Sequence, residues 1–159
     1  MHELSTNTGG HLQLIEIQAW DLPDMKGGLG KGIMEAMTYV SRNHPQVKLS
    51  ADFWRTPFTP EDVEALAEAL PIAKLRILAV AECGINAAGT ARIAESLKHA
   101  PGCVVDMCDN EFNSEGVGHL AAALPALNAL VLKDANFGQE DRANLDAVPK
   151  SHGKAISWS

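Results

Sequence analysis

The sequence predicts an α/β protein, a short solenoid of about five strand–helix units stacked in a row, and two observations predict it. The first is a recurrence. Apolar and turn positions at Leu78, Val80, Cys83, Ile85, Ile93 and Leu97 reappear 27 residues later as Val105, Met107, Asn110, Phe112, Leu120 and Leu124. A further 25 residues leads to Leu130, Leu132, Ala135, Phe137, Leu145 and Pro149, and 27 residues back from Ile85, Ile93 and Leu97 stand Phe58, Leu66 and Leu70. The second observation is a change of period inside each unit. Leu75, Leu78 and Val80 are spaced too tightly for one amphipathic helix and fit a strand and turn, whereas Asn86 to Leu97 has helical spacing. One such unit has too little apolar surface to bury alone. Stacked units share a continuous core, with parallel strands on a concave side and helices on a convex side.

Taken in order, residues 1–10 read as a polar, disordered tip, and 11–159 as one domain. Within it, 11–45 form an amino-terminal capping unit, 46–149 the repeats and 150–159 a closing strand. His11 to Ile17 fits a first strand. Aligned as a repeat, Ile15, Ile17, Trp20 and Leu22 point inward, and Trp20 covers the open end of the core. The glycine-rich segment Lys26 to Gly32 fails the G-x-x-x-x-G-K-[ST] pattern of a phosphate loop and reads as a loop before a helix over Ile33 to Arg42. Asn43-His44-Pro45 ends that helix, because a residue before proline resists the helical region. Val47, Leu49, Ala51 and Phe53 alternate as a strand with one buried face. Thr59 is a suitable N-cap with Pro60 at the first helical position, and Val63, Leu66 and Leu70 follow at helical spacing. The later units are strand Arg76–Ala81 with helix Ala87–Lys98, strand Val104–Cys108 with helix Ser114–Leu124, and strand Ala129–Lys133 with helix Gln139–Ala147. Ile156 and Trp158 lie on one face of a final edge strand, with Trp158 capping the core.

The units resemble leucine-rich repeats, of the form L-x-x-L-x-L-x-x-(N/C)-x-L followed by a helix. The Gly and Ala content of INAAGTARIAESL and FNSEGVGHLAAAL is similar to the ribonuclease-inhibitor-like subtype and to the GALA-type repeats of bacterial plant-pathogen effectors. The resemblance covers roughly Val47 to Val148. It implies that Cys83 and Asn110, at the Asn/Cys position, bond the backbone of the turn and tie neighbouring units together. It also implies a protein that binds through its concave strands.

Composition narrows the function. Charged residues make up 21% of the 159 and the apolar set 46%, an ordinary globular balance. A net charge of −7 disfavours a nucleic-acid partner. No apolar run approaches the ~20 residues of a membrane span, and the amino terminus lacks the basic and apolar regions of a secretory signal. Three cysteines, Cys83, Cys103 and Cys108, read as free thiols in a reducing compartment. The expected location is cytoplasmic; the polar tip, taken instead as an effector export signal, would place the protein in a host cytoplasm.

Residues between the inward positions point to the concave face: Glu16, Gln18 and Ala19; Asp52, Trp54 and Arg55; Ala79, Ala81 and Glu82; Asp106, Cys108 and Asp109; Val131, Lys133 and Asp134. Glu82, Asp109 and Asp134 stand at equivalent positions, so stacking lines them up as an acidic ladder about 5 Å apart. Trp54 and Arg55 are the residue types that anchor interfaces, although a one-residue change of register would bury Trp54. A metal site from Asp106, Cys108, Asp109 and Cys103 lacks the four-ligand pattern of a structural zinc, the six histidines are scattered, and no catalytic constellation stands out. The expectation is a non-catalytic protein–protein interaction module without cofactor or metal. It binds a basic partner protein through Asp52, Trp54, Arg55, Glu82, Asp106, Asp109, Lys133 and Asp134, as a monomer or a weak dimer through the solenoid ends. The alternatives are an adaptor that recruits ubiquitin-ligase or other host machinery, and a structural subunit of a larger complex.

Overall fold

The computed structural model describes residues 13–24, 28–133, 137–148 and 155–157. Strands and helices alternate along the chain: β1 (Leu14–Gln18), α1 (Leu29–Asn43), β2 (Lys48–Asp52), α2 (Pro60–Ala69), β3 (Leu75–Ala79), α3 (Ala87–Leu97), β4 (Val104–Asp106), α4 (Ser114–Ala123), β5 (Ala129–Val131), α5 (Gln139–Asp146) and β6 (Ala155–Ser157). The described strands form one six-stranded parallel sheet in the order of the sequence. Parallel neighbours need crossover connections, and these are right-handed with few exceptions, so a sheet built in chain order carries all its helices on one face. Each helix packs on the helix before and after it, α1 on α2 through to α4 on α5. Among the described residues the other face of the sheet has no helix over it, and no helix is long and apolar enough to cross a membrane.

The core lies between the sheet and the helices. From the strands, Leu49, Ala51 and Phe53, then Leu78 and Val80, Val105 and Met107, and Leu130 and Leu132 are buried. From the helices, Met34 and Met37 of α1, Leu66 of α2, Ile93 and Leu97 of α3, and Leu120 of α4 meet them. Equivalent positions in successive units thus stack into rows of like residues, which is why the recurrence is visible in the sequence.

The strands end two residues earlier than their apolar alternation suggests. Val80 and Met107 still donate to the next unit, to Asp106 O and Val131 O. The chain then leaves extended conformation: Asp21, Arg55, Glu82 and Asp109 all have positive φ, between 50° and 55°. The same reversal occurs in four successive turns.

Helix starts repeat as closely. Thr59 accepts from Asp62 N and Asp62 returns the bond to Thr59 N at 3.0 Å, a capping box with Pro60 at the first helical position. Asn86 and Asn113 stand one and two units on, accepting from Gly89 N at 2.9 Å and Gly116 N at 2.8 Å. A Cβ on Gly89 would lie 2.7 Å from Ile85 Cγ2, so the close seat of α3 on its own turn requires glycine there. α1 begins four residues before the expected Ile33, at Leu29, because Gly28 at φ 80° supplies a left-handed turn into the helix. Part of the Lys26 to Gly32 segment is therefore helix; Lys31 within it reaches Glu35 at 3.9 Å. Lys26 and Gly27, the polar tip and Trp158 lie outside the described residues.

One ion pair joins two units on the helical side. Arg92 of α3 reaches Glu64 of α2 with Nη2–Oε1 2.6 Å and Nε–Oε2 2.9 Å. The Arg92 hydrogen bond holds the Glu64 carboxyl below its ordinary value. A carboxylate with a lowered folded-state pKa adds stability above its unfolded value and loses it as pH falls through the folded one. With Glu64 about half and Arg92 about a third exposed, the pair is worth less than about 1 kcal/mol. Denaturant titration should show Glu64→Gln less stable than the native chain by under about 1 kcal/mol near pH 7, the gap closing as pH falls through the lowered folded-state value of Glu64.

Candidate binding face

The sheet's open face and the turns at the carboxyl ends of its strands hold the expected contact residues. Register sets the rows. Gln18, Asp52, Ala79, Asp106 and Val131 lie side by side across five strands, and Glu16, Ser50, Ile77, Val104 and Ala129 form the next row. A bulge opposite Leu49–Ser50 inserts Arg76 into β3, so Arg76 and Ile77 both face outward, Ile77 42% exposed.

Beyond the strand ends the turns themselves stack. Asp21 N donates to Trp54 O, Arg55 N to Ala81 O, Glu82 N to Cys108 O and Asp109 N to Lys133 O, at 3.0 to 3.2 Å. These bonds extend the parallel ladder into the left-handed positions. Three of these turns, the second to the fourth, each carry a side chain that clamps the strand end of the unit before. Thr56 Oγ1 donates to Ala19 O at 2.6 Å, Cys83 Sγ to Phe53 O at 3.0 Å and Asn110 Nδ2 to Val80 O at 2.7 Å. Asn110 and Cys83 are the two residues expected in this role, and Thr56 is a third. Burial pushes the Cys83 thiol up to about 12, so it stays protonated as a donor near neutral pH.

This register corrects three expectations. Trp20 does not cover the core: it is 48% exposed and equivalent to Trp54, two residues out of step with the inward alignment. Ala19 is buried, at the position of Phe53 in the next unit, and Asp21 takes the outward place given to it. Ala81 and Cys108 share the Trp54 position but are buried, because their small side chains sink into the shelf of turns. Cys108 is buried with its thiol against the Asp106 carboxylate, but among the described residues no group of three His, Cys, Asp or Glu side chains could hold a metal.

Trp54 is 39% exposed while Phe53 is fully buried. Its indole Nε1 donates to Glu82 Oε1 at 3.2 Å, and the Arg55 guanidinium lies 5.3 Å from the ring centroid. Arg55 Nε stands 3.3 Å from Asp21 Oδ1 and 3.7 Å from Glu82 Oε2. These groups are half exposed, so their pairing adds little stability; its effect is to hold the Trp54 ring in one orientation. The row of left-handed residues therefore reads acid, base, acid, acid along Asp21, Arg55, Glu82 and Asp109. The expected ladder begins at Glu82, whose carboxylate also serves Trp54 and Arg55. Asp109 is exposed, with no ion-pair partner among the described residues, and Asp134 lies outside them. Lys133 is exposed in the adjacent turn.

Asp52 and Asp106 do structural work as well. Asp52 Oδ1 accepts from Trp54 N at 3.1 Å and Asp106 Oδ1 from Cys108 N at 3.0 Å, so each shapes the turn that follows it. Asp21 was missed from sequence and Trp20 was set in the core, yet a signal existed: W-D and W-R follow β1 and β2 at the same offset. No protein-family model matches this sequence, and a search among curated proteins gives no match either.

Proposed function

We propose that the protein is a leucine-rich-repeat solenoid that acts as a non-catalytic interaction module, binding a partner protein through its open strand face and the adjoining turns. The repeat reading is supported by the Thr56, Cys83 and Asn110 clamps, which act at the position where such repeats place Asn or Cys. The observation that carries the binding reading is the run of left-handed residues. Asp21, Arg55, Glu82 and Asp109 each adopt a conformation costing a non-glycine residue roughly 1 kcal/mol, and each is charged and exposed. Four consecutive turns keep a charged side chain where glycine is the least strained choice. Beside them stand Trp20 and Trp54 in adjacent units, two large exposed aromatics of the kind that anchors interfaces. The partner presents an apolar surface to the tryptophans and basic groups to Asp106, Asp109 and Glu82.

Glycine at these turns separates recognition from folding. The variant Arg55→Gly/Glu82→Gly/Asp109→Gly relieves three left-handed residues, so its melting temperature should be no lower than that of the native chain. In affinity capture from a lysate, proteins retained by the native chain should be lost from this variant. Full retention by a variant of unchanged stability would remove the turns from the binding face.

A further inference from the structure

We propose that the cleft at the opposite end of the strands, where the helices run into β2, β3 and β4, is a second binding site, and that it takes an acidic peptide segment carrying apolar side chains. The cleft encloses about 990 Å³ and spans three successive units. Lys48, Lys74, Arg76 and His99 line it, and among the described residues not one Asp or Glu does. In a chain with 20 acidic and 13 basic residues, such segregation is the reverse of the overall balance. Among the described residues Lys48 and Arg76 have no acidic partner, and the Lys74 ammonium makes a single long contact of 3.4 Å, from Nζ to Pro45 O. Arg76 is there because of the β3 bulge, which also turns Ile77 outward onto the cleft. Cations and an exposed apolar side chain therefore share one concavity.

The class of ligand follows from what surrounds the cations. α1, α2 and α3 all end at this edge, so their carbonyl ends place partial negative charge nearby. A compact phosphate would want helix N-termini and hydroxyl donors, and among the described residues neither Ser nor Thr lines the cleft. Among the described residues no Phe, Tyr or Trp lines it to stack a nucleotide base. Carboxylates spaced along a peptide can reach Lys48, Lys74 and Arg76 separately and leave an apolar side chain for Ile77. The prolines Pro45, Pro71 and Pro101 stiffen the three loops that form the walls, so little ordering is needed on binding.

The probe is a short fluorescein-labelled peptide of alternating glutamate and leucine, read by fluorescence anisotropy on the full chain. Binding should weaken as salt rises and fall at least about tenfold in Lys48→Glu/Lys74→Glu/Arg76→Glu. The milder Lys48→Gln/Arg76→Gln should show a smaller loss at unchanged melting temperature, which serves if the reversed variant folds poorly. Arg55→Gly/Glu82→Gly/Asp109→Gly should bind the probe like the native chain, since it alters the other end of the strands. Equal affinity in the neutralised variant, equal affinity for a glutamine–leucine peptide, or displacement of the probe by an equal concentration of inorganic pyrophosphate would each overturn the proposal.

Discussion

Replacing Asn110 with alanine should lower the unfolding free energy by about 3 kcal/mol. The amide is buried and bonds on both ends. Its Nδ2 donates to Val80 O at 2.7 Å, with Cys108 O and Met107 O at 3.1 and 3.2 Å, and its Oδ1 accepts from Ile85 N at 3.0 Å. Alanine leaves the Ile85 N–H and the Val80 carbonyl without partners in a place water does not reach. Each buried group left unpaired costs about 1–3 kcal/mol, more than the net gain from making the bond. Asn110→Asp should be worse still, because it sets a carboxylate against three carbonyl oxygens. Urea unfolding with an unchanged slope would report this as a shift of the midpoint. A loss below about 1 kcal/mol would mean the turn closes without the amide.

Phe53→Ala should cost about 4 kcal/mol, whereas Trp54→Ala, one residue on, should cost less than about 1 kcal/mol. Phe53 is wholly buried and packs edge-on against Phe58 with centroids 5.3 Å apart. Its removal leaves a cavity between two units that cannot close independently. Trp54 projects from the other side of the same backbone, 39% exposed, with its indole bonded to Glu82 and lying against Arg55. Thermal unfolding of the two variants would separate them, and similar losses would show that Trp54 belongs to the core.

Much of the architecture was legible because its rows are made by repetition. The 27-residue step from Ile85 to Phe112 and from Leu97 to Leu124 places these residues in matching roles, and Thr59 with Pro60 marks a helix start that exists. The first unit was misread for a physical reason. A slip of one residue turns a strand inside out and breaks the apolar pattern, but a slip of two preserves it. Alternation therefore could not tell Trp20 from Leu22 as the partner of Thr56. Thr56 itself went unnoticed because a hydroxyl can do what an asparagine amide does at this point, and no rule confined to Asn or Cys finds it. The strand ends were placed late because Val80 and Met107 stay buried and bonded after the chain has begun to turn. The bulge at Arg76 left no mark in composition at all.

Because strand order equals sequence order, the protein can also be considered in the direction of its synthesis. Each described strand after β1 finds its template in the strand made just before it, so none of them need wait for a distant carboxyl-terminal segment. At about 5–20 residues per second, a ribosome delivers the next unit within roughly a few seconds of the last. The nascent chain then grows by docking onto its own newest edge. Once enough units have stacked to share a core, each new one covers the apolar edge left by the last, which limits the opportunity for aggregation while translation is in progress.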